Sequence, residues 1–145
     1  MSMGLLDRFR RKSPKRNKDT GTWVERYWKS FNHAIDGIIY TLKYEHNMVI
    51  IFIATIIVVG LSFYFRIEPY EWLFLIIVIG GIMCTELINS SIEAAIDLTT
   101  TEMHPLAKIA KDTASGATLV LVIVSIIGGL IIFLPRFISL FGGTL

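Results

Sequence analysis

The sequence predicts an all-α integral membrane protein, in which an N-terminal amphipathic surface helix precedes three transmembrane helices. Hydrophobic residues make up 53% of the 145 residues and the mean hydropathy is positive, as in a membrane domain. Three apolar stretches are long enough to cross a hydrocarbon core about 30 Å thick. Ten of the fourteen Lys and Arg residues precede the first stretch, so the positive-inside rule predicts a cytoplasmic N-terminus.

Residues 1–20 are predicted to be a basic, flexible arm, and residues 21–145 a single membrane domain. The arm is rich in basic residues and poor in apolar ones, so it is expected to be attracted to anionic lipid head groups. Nucleic acid is not expected as a partner, because a short basic flank beside a transmembrane helix usually sets topology.

The surface helix is predicted at about residues 22–45. Thr22 and Glu25 form a capping-box pattern at its start. Apolar residues then recur every three or four positions, which favours a helix lying in the membrane interface. These residues are Trp23, Tyr27, Phe31, Ala34, Ile35, Ile38 and Leu42. A helix packed on the transmembrane bundle is compatible with the same pattern.

The three transmembrane helices are predicted at about residues 48–65, 72–98 and 114–134. An external turn joins the first two, and a cytoplasmic loop at about 99–113 joins the last two. Gly80-Gly81 would let another helix approach closely, and Pro135-Arg136 is expected to end the third helix. The lone cysteine, Cys84, permits no intrachain disulfide and is expected to be a small buried residue.

An acidic face on the second transmembrane helix is the main indication of function. At about 100° per residue, Glu86, Asn89, Ser90, Glu93 and Asp97 fall within one sector of this helix. A carboxylate at the centre of a membrane helix costs on the order of 3 kcal/mol, so this face is expected to serve a reaction. A hydrated helix end is the alternative, but Glu86 lies about 25 Å along the helix, within the hydrocarbon.

Charged residues from all three transmembrane helices are expected to meet at the cytoplasmic rim. Glu45 precedes the first helix, the acidic face ends the second, and Lys111-Asp112 opens the third. Carboxylates from two helices with a lysine nearby suit a Mg²⁺-nucleotide site. The sequence contains no Walker A loop and no protein-kinase signature. An ion or proton path is the alternative of another class, although residues 72–83 offer no polar side chain to line its outer half.

Two segments closely resemble signatures of the prokaryotic diacylglycerol kinase family. The first runs from Glu86 to Asp97 and has the family pattern E-x-x-N-[ST]-x-x-E-x-x-x-D. The second runs from Ala107 to Asp112 and ends in A-K-D. The likeness extends from about residue 26 to residue 134. The segment from His104 to Lys108 is similar to the branch common in Gram-positive bacteria, whose members mostly phosphorylate undecaprenol.

The resemblance implies a small homotrimeric kinase in the bacterial cell membrane, which transfers the γ-phosphate of ATP to a lipid hydroxyl at the cytoplasmic face. Undecaprenol is the expected lipid, and diacylglycerol is the alternative. By position in the family pattern, Glu86 would be the general base, and Asn89 would orient this base and the phosphate. Glu45 and Glu93 would hold Mg²⁺, and Lys111 would neutralise the phosphates.

The same resemblance assigns further residues to the nucleotide or the lipid. Asp112, Glu102 and His104 would help to place ATP. Arg26 and His33 of the surface helix would line the approach of the nucleotide or the lipid. Ser90 and Ser115 would contact the lipid.

Several of these residues also have simpler interpretations. Glu45 by itself is typical of a solvated helix flank, and His104 before Pro105 is typical of a turn. Asp97 is expected to pair with Lys108 or Lys111 at a helix end instead of acting in catalysis. His33 stands where the family often has an aromatic residue, which weakens its assignment.

Overall fold

The structure, a computed structural model, describes residues 22–99 and 104–142, which form four helices. Helix α1 spans Trp23–Tyr44, α2 spans His46–Phe65, α3 spans Pro69–Thr99 and α4 spans Pro105–Leu140. The basic arm and Glu102 lie outside the described residues. The three long helices belong to one compact unit that begins at Glu45, and α1 belongs to a separate one, so α1 is described by itself.

Helix α1 begins where the capping-box pattern predicted. The backbone N–H of Thr22 donates to Glu25 Oε2 at 3.1 Å, and the backbone N–H of Glu25 donates to Thr22 Oγ1 at 3.4 Å. These reciprocal bonds satisfy two donors that the first turn of a helix leaves without partners. The aromatic side chains of its first half, among them Tyr27, Trp28 and Phe31, are exposed.

Helices α2, α3 and α4 are long and apolar enough to cross a membrane, with 20, 31 and 36 residues. At 1.5 Å per residue they extend for about 30, 46 and 54 Å. Most of their large apolar side chains are exposed on the surface of the single chain, as expected for helices that contact lipid or other chains. The prediction of three membrane-spanning helices is therefore confirmed, and the protein is a multi-pass membrane protein.

The prediction that Pro135-Arg136 ends the third transmembrane helix is wrong, because α4 continues through Pro135 to Leu140. A proline removes one backbone donor and leaves the carbonyl four residues earlier without its usual partner. Helix α4 continues beyond the proline because Arg136, the next residue, is held against α3 by Glu71, while its guanidinium also donates to the Ile132 carbonyl. Contacts with neighbouring helices allow proline inside transmembrane helices.

The cytoplasmic loop predicted at 99–113 is also shorter than expected, because α4 already begins at Pro105. Proline is favoured at the first helical position, where its missing N–H costs nothing. His104 caps this start, since its Nδ1 accepts a hydrogen bond from the Leu106 backbone N–H at 3.2 Å. Lys108, Lys111 and Asp112 therefore lie on the first turns of a helix and not in a loop.

A tight turn joins α2 to α3. Arg66 has φ +50°, in the left-handed region, and its N–H bonds to the Phe63 carbonyl at 3.3 Å. The Ile67 N–H then bonds to the Ser62 carbonyl at 3.2 Å, which completes the cap of α2. Helix α3 starts at Pro69, again at a position where proline is favoured.

The apolar core lies at the same end of the bundle as this turn. Ile67, Leu75, Ile132 and Phe133 are buried together there. Phe65 contacts the ring of Phe133 at a centroid distance of 6.3 Å and that of Phe137 at 4.9 Å. The tightest hydrophobic packing is therefore far from the acidic face of α3.

An ion pair ties α3 to α4 beside this core. Arg136 Nη1 donates to Glu71 Oε1 at 2.9 Å, and Arg136 Nη2 donates to Glu71 Oε2 at 2.6 Å. Glu71 is buried, and its Oε2 also accepts the Glu68 backbone N–H at 2.8 Å. Such two-pronged pairing fixes geometry as well as charge. It holds together two segments that are 65 residues apart in sequence.

Helices α3 and α4 approach closely at Gly128 and at Gly81 of the predicted Gly80-Gly81 pair. A Cβ placed on Gly128 would lie 2.2 Å from two carbons of the Phe74 ring, and one on Gly81 would lie 3.3 Å from Leu121 Cδ1, whereas a Cβ on Gly80 would meet nothing within 4 Å. Gly128 and Gly81 therefore give the two helices room to pack. The expectation for Cys84 is wrong, because this residue is exposed on α3.

We expect Gly128→Ala to destabilise the bundle by about 1–3 kcal/mol, because the added methyl group forces the Phe74 ring to move. Gly129→Ala is the matched control, since its Cβ would meet nothing within 4 Å and alanine is the better helix former. Thermal unfolding in detergent micelles measures both variants. Equal melting temperatures for the two variants would contradict the proposed close contact.

Candidate functional site

The acidic face of α3 points into the protein over part of its length. Glu86 is 2% exposed, Asn89 5% and Ser90 9%. Farther along the helix Glu93 is half-buried and Asp97 is exposed. The interpretation as a hydrated helix end therefore applies to Asp97 but not to Glu86. The Glu86 side chain is one of the most completely buried among the described residues.

Two hydrogen bonds organise this face. Asn89 Nδ2 donates to Glu93 Oε1 at 2.9 Å, and Ser90 Oγ donates to the Glu86 backbone carbonyl at 2.9 Å. Asn89 thus orients Glu93, although the sequence suggested that it would orient Glu86. Ser90 uses its hydroxyl proton within its own helix, so only its oxygen lone pairs remain for a ligand.

Three buried side-chain oxygens in the described part of the chain lack a hydrogen-bond partner. They are Glu86 Oε1, Asn89 Oδ1 and Thr118 Oγ1. A buried polar atom without a partner costs about 1–3 kcal/mol, and proteins keep few of them. All three atoms belong to the half of the bundle that carries the acidic face. This half is therefore the part of the protein in which polar atoms are left for a ligand or a neighbouring chain.

A cavity of about 250 Å³ is lined by two of the residues that carry these atoms, Glu86 and Thr118. Its polar lining comes from Asn47 of α2, Glu86 of α3, and Ser115 and Thr118 of α4. Its remaining lining residues, Ile50, Ile51, Leu119 and Val122, are apolar. The cavity thus combines a buried carboxylate, hydroxyl groups and hydrocarbon, which suits an amphiphilic ligand with a hydroxyl group.

Glu45 is the second acidic contribution and lies at the start of α2, where it occupies the cap position. Burial and the nearby carboxylates of Glu93 and Glu86 raise the pKa of Glu45 above its ordinary value of 4.5. The carboxylates of two helices therefore repel one another in the absence of a cation. Glu45 is more than a solvated helix flank.

The donor set at Glu45 and Glu93 fits Mg²⁺ that is also bound to phosphate. Mg²⁺ usually takes one or two protein carboxylates and completes its shell with phosphate oxygens and water. Within residues 22–99 and 104–142, no group of three or more His, Cys, Asp and Glu residues is arranged to hold a metal alone. A cation bound here would relieve the repulsion between the carboxylates.

Lys111 of α4 pairs with Asp97 of α3, with Nζ and Oδ1 2.5 Å apart. The sequence predicted a helix-end partner of this kind for Asp97. Both side chains are well exposed, so the pair contributes little to stability. The lysine also interacts electrostatically with Glu93, which places its charge near the carboxylates. Lys111 is thus positioned beside the acidic face without being buried in it.

The remaining predicted residues fall into three groups. Ser115 lines the cavity, whereas Asp112 is exposed on the first turns of α4. The exposed His104 acts as the helix cap, so its Nδ1 is occupied, and Glu102 lies outside the described residues. Arg26 and His33 are exposed on α1, where the Arg26 guanidinium lies 4.5 Å from the centre of the Trp23 ring.

Thr118 and Asn47 were missed by the sequence analysis. Thr118 lies within the apolar stretch 114–134, where a single threonine is unremarkable, and Asn47 is one of several polar residues before α2. A useful signal was available for Thr118, because it follows Ser115 by three residues and so shares its helix face.

Comparison with known proteins points to one family of membrane enzymes. Residues 32–133 match the family model described as prokaryotic diacylglycerol kinase. The chain is 41% identical over 120 residues to the undecaprenol kinase of Bacillus subtilis, which covers 83% of this chain and 98% of that protein. It is 40% identical over 96 residues to a diacylglycerol kinase of Helicobacter pylori, covering 66% of this chain and 75% of the relative.

A more distant relative has the same type of name. The diacylglycerol kinase of Escherichia coli is 31% identical over 85 residues, covering 59% of this chain and 70% of that protein.

We expect Glu45→Gln to raise the melting temperature slightly at neutral pH without divalent cations, because it removes a carboxylate from a crowded acidic group. A raised pKa in the folded protein makes stability fall as pH rises from 4.5 through that pKa. The variant should lose this pH-dependent decline. It should also gain less stability from added Mg²⁺ than the wild type.

Glu68→Gln is the matched control, because Glu68 is an exposed carboxylate just before α3. Thermal unfolding between pH 4.5 and 8, with and without Mg²⁺, measures all three proteins. A Glu45→Gln variant with the wild-type response to Mg²⁺ would contradict a role for this carboxylate in cation binding.

Proposed function

The chain belongs to the prokaryotic diacylglycerol kinase family and is a membrane lipid kinase, and we propose that it phosphorylates the hydroxyl group of undecaprenol. The proposed lipid follows the Bacillus subtilis relative, which is named undecaprenol kinase and matches along 98% of its length. The observation that carries the proposal is the buried carboxylate of Glu86, which lacks a partner for Oε1 and lines a cavity with an apolar wall. ATP is the proposed phosphate donor, and the cytoplasmic face of the bacterial cell membrane is the proposed site of reaction.

In the proposed reaction, the lipid oxygen attacks the γ-phosphorus of ATP, and the bond from that phosphorus to the β–γ bridging oxygen breaks. Glu86 accepts the proton of the lipid hydroxyl, and ADP leaves with the bridging oxygen. Glu86 suits this task because the buried Oε1 has no other proton donor. The surrounding apolar side chains exclude water, which would otherwise compete with the lipid for the phosphate.

Glu45 and Glu93 are proposed to hold Mg²⁺, which when bound would neutralise charge on the phosphates. Asn89 would keep Glu93 oriented for this purpose, through the bond from Nδ2 to Oε1. Lys111 is proposed to exchange its exposed pairing with Asp97 for a phosphate oxygen. Asp112, Glu102 and His104 remain proposed nucleotide contacts, with the backbone-bound His104 the weakest of them.

A homotrimer is the proposed assembly. The unpartnered Asn89 Oδ1 and the many exposed apolar side chains of α2, α3 and α4 favour further protein neighbours. Helix α1 is proposed to lie on the membrane surface, since its exposed aromatic residues and its Arg26–Trp23 contact suit the interface. Arg26 and His33 would then stand where lipid head groups and nucleotide arrive.

An ion or proton path is not favoured. Family membership assigns the chain to lipid kinases, and residues 72–83 of α3 carry no polar side chain. Conduction would need polar groups along the whole crossing.

We expect Glu86→Gln to lower kcat by at least about a hundredfold, because an amide does not take up the hydroxyl proton. Glu93→Gln should instead raise the Mg²⁺ concentration needed for half-maximal activity, and Glu68→Gln at the opposite end should behave as wild type. The measurement is transfer of labelled phosphate from ATP to lipid by protein in mixed micelles. Wild-type turnover in Glu86→Gln would remove Glu86 as the base.

We expect undecaprenol to exceed diacylglycerol in kcat/KM when both are assayed with the same protein, in the same micelles, at matched lipid mole fraction. The physical reason is that the cavity at Glu86 shares apolar side chains with a second cavity. The polar lining side chains of that second cavity, Thr55 and Ser125, already bond within their own helices, so it suits plain hydrocarbon better than ester groups. A higher kcat/KM for diacylglycerol would overturn the choice of lipid and leave the kinase assignment in place.

A further inference from the structure

In the described part of the chain, the hydroxyl of Thr118 is an exception among the buried and half-buried hydroxyl groups of the long helices. Thr55 and Ser62 of α2, Thr85 of α3 and Ser125 of α4 each donate to a carbonyl of their own helix, at distances from 2.7 to 3.1 Å. This is the usual way to satisfy a hydroxyl in a transmembrane helix. Thr118 makes no such bond, although it is 9% exposed and its oxygen is fully shielded.

Thr118 and Glu86 adjoin the same cavity from different helices. Each has a buried oxygen without a partner, Oγ1 of Thr118 on α4 and Oε1 of Glu86 on α3. Neither bonds to the other, and one group placed between them would satisfy both. That group must donate a proton to the carboxylate and accept one from the threonine. A single alcohol group does both.

We propose that Thr118 binds the reacting oxygen of the lipid alcohol together with Glu86, and so selects for and positions this substrate. The inference rests on the proposed function. In this arrangement the alcohol proton goes to Glu86 Oε1, and the Thr118 hydroxyl donates to one lone pair of the alcohol oxygen. The second lone pair is left to attack the γ-phosphorus. Two fixed hydrogen bonds thus set the direction of attack.

The surroundings of Thr118 indicate the class of alcohol. The cavity at Glu86 shares Ile50, Ile51 and Val122 with a second cavity of about 290 Å³, whose deeper wall includes Leu75 and Phe133. A ligand with one terminal hydroxyl group and plain hydrocarbon directly behind it matches this sequence of polar and apolar walls. A polyprenol has this form. Diacylglycerol carries two ester groups close to the hydroxyl, and the hydroxyl groups of the second cavity, on Thr55 and Ser125, are already bonded to their own helices.

Thr118→Val tests the proposal, because valine has the same shape but no hydroxyl. We expect kcat/KM for undecaprenol to fall about tenfold, mainly through a higher KM for the lipid, with the KM for ATP little changed. Thr118→Ser restores the hydroxyl and should remain within about threefold of wild type. Ser139→Ala is the control on the same helix, since its hydroxyl is already bound to the Arg136 carbonyl and it lines neither cavity.

Melting temperatures in micelles establish that each variant is folded before kinetics are compared. If the wild type phosphorylates undecaprenol and Thr118→Val has the same lipid KM and kcat, the role of Thr118 is refuted while the proposed function stands. An equal loss in Thr118→Val and Thr118→Ser would also refute it, because shape and not the hydroxyl would then matter. If the wild type phosphorylates no lipid alcohol, the proposed function itself fails.

Discussion

The hydrogen bonds and ion pairs of this protein depend on the need to satisfy polar groups away from water. In hydrocarbon, a polar atom must find its partner within the protein, so hydroxyl groups bond back to their own helix. The hydroxyl groups of Ser62 and Ser125 follow this rule, and the charged side chains of Glu71 and Arg136 satisfy each other. The described exceptions, at Glu86, Asn89 and Thr118, belong to the half of the bundle that holds the proposed reaction site. These atoms need partners that the described part of the single chain does not supply.

The two ends of the bundle are therefore built for different purposes. At the end with the α2–α3 turn, aromatic packing and the Arg136 guanidinium join α3 and α4 firmly. At the other end, carboxylates crowd together and the Lys111–Asp97 pair is exposed to water. The first arrangement stabilises the bundle. The second lowers its stability but leaves charged and polar groups that can bind a ligand. Functional sites commonly depart from the local rules that the rest of a protein obeys.

Much of this organisation could be predicted from the sequence, because it depends on local patterns. The length of the apolar stretches predicted the three long helices, the Thr22–Glu25 pattern predicted the start of α1, and helical spacing predicted the buried face at Glu86. What failed depended on distant partners. Helix α4 continues through Pro135 to Arg136, whose side chain binds Glu71, 65 residues away. The roles of Thr118 and Gly128 depend on Glu86 and Phe74, which lie near them only in the folded structure.

The length of α3 has a further consequence. Its 31 residues rise about 46 Å, some 16 Å more than a typical hydrocarbon core, so one rigid rod carries both Glu86 and Asp97. The Arg136–Glu71 pair anchors the opposite end of this rod to α4. Glu86 therefore sits at a fixed height above that anchor, whatever the lipid composition. With this end fixed, a thicker bilayer would place the carboxylate deeper among acyl chains and a thinner one would place it closer to water, so activity would depend on the thickness of the membrane.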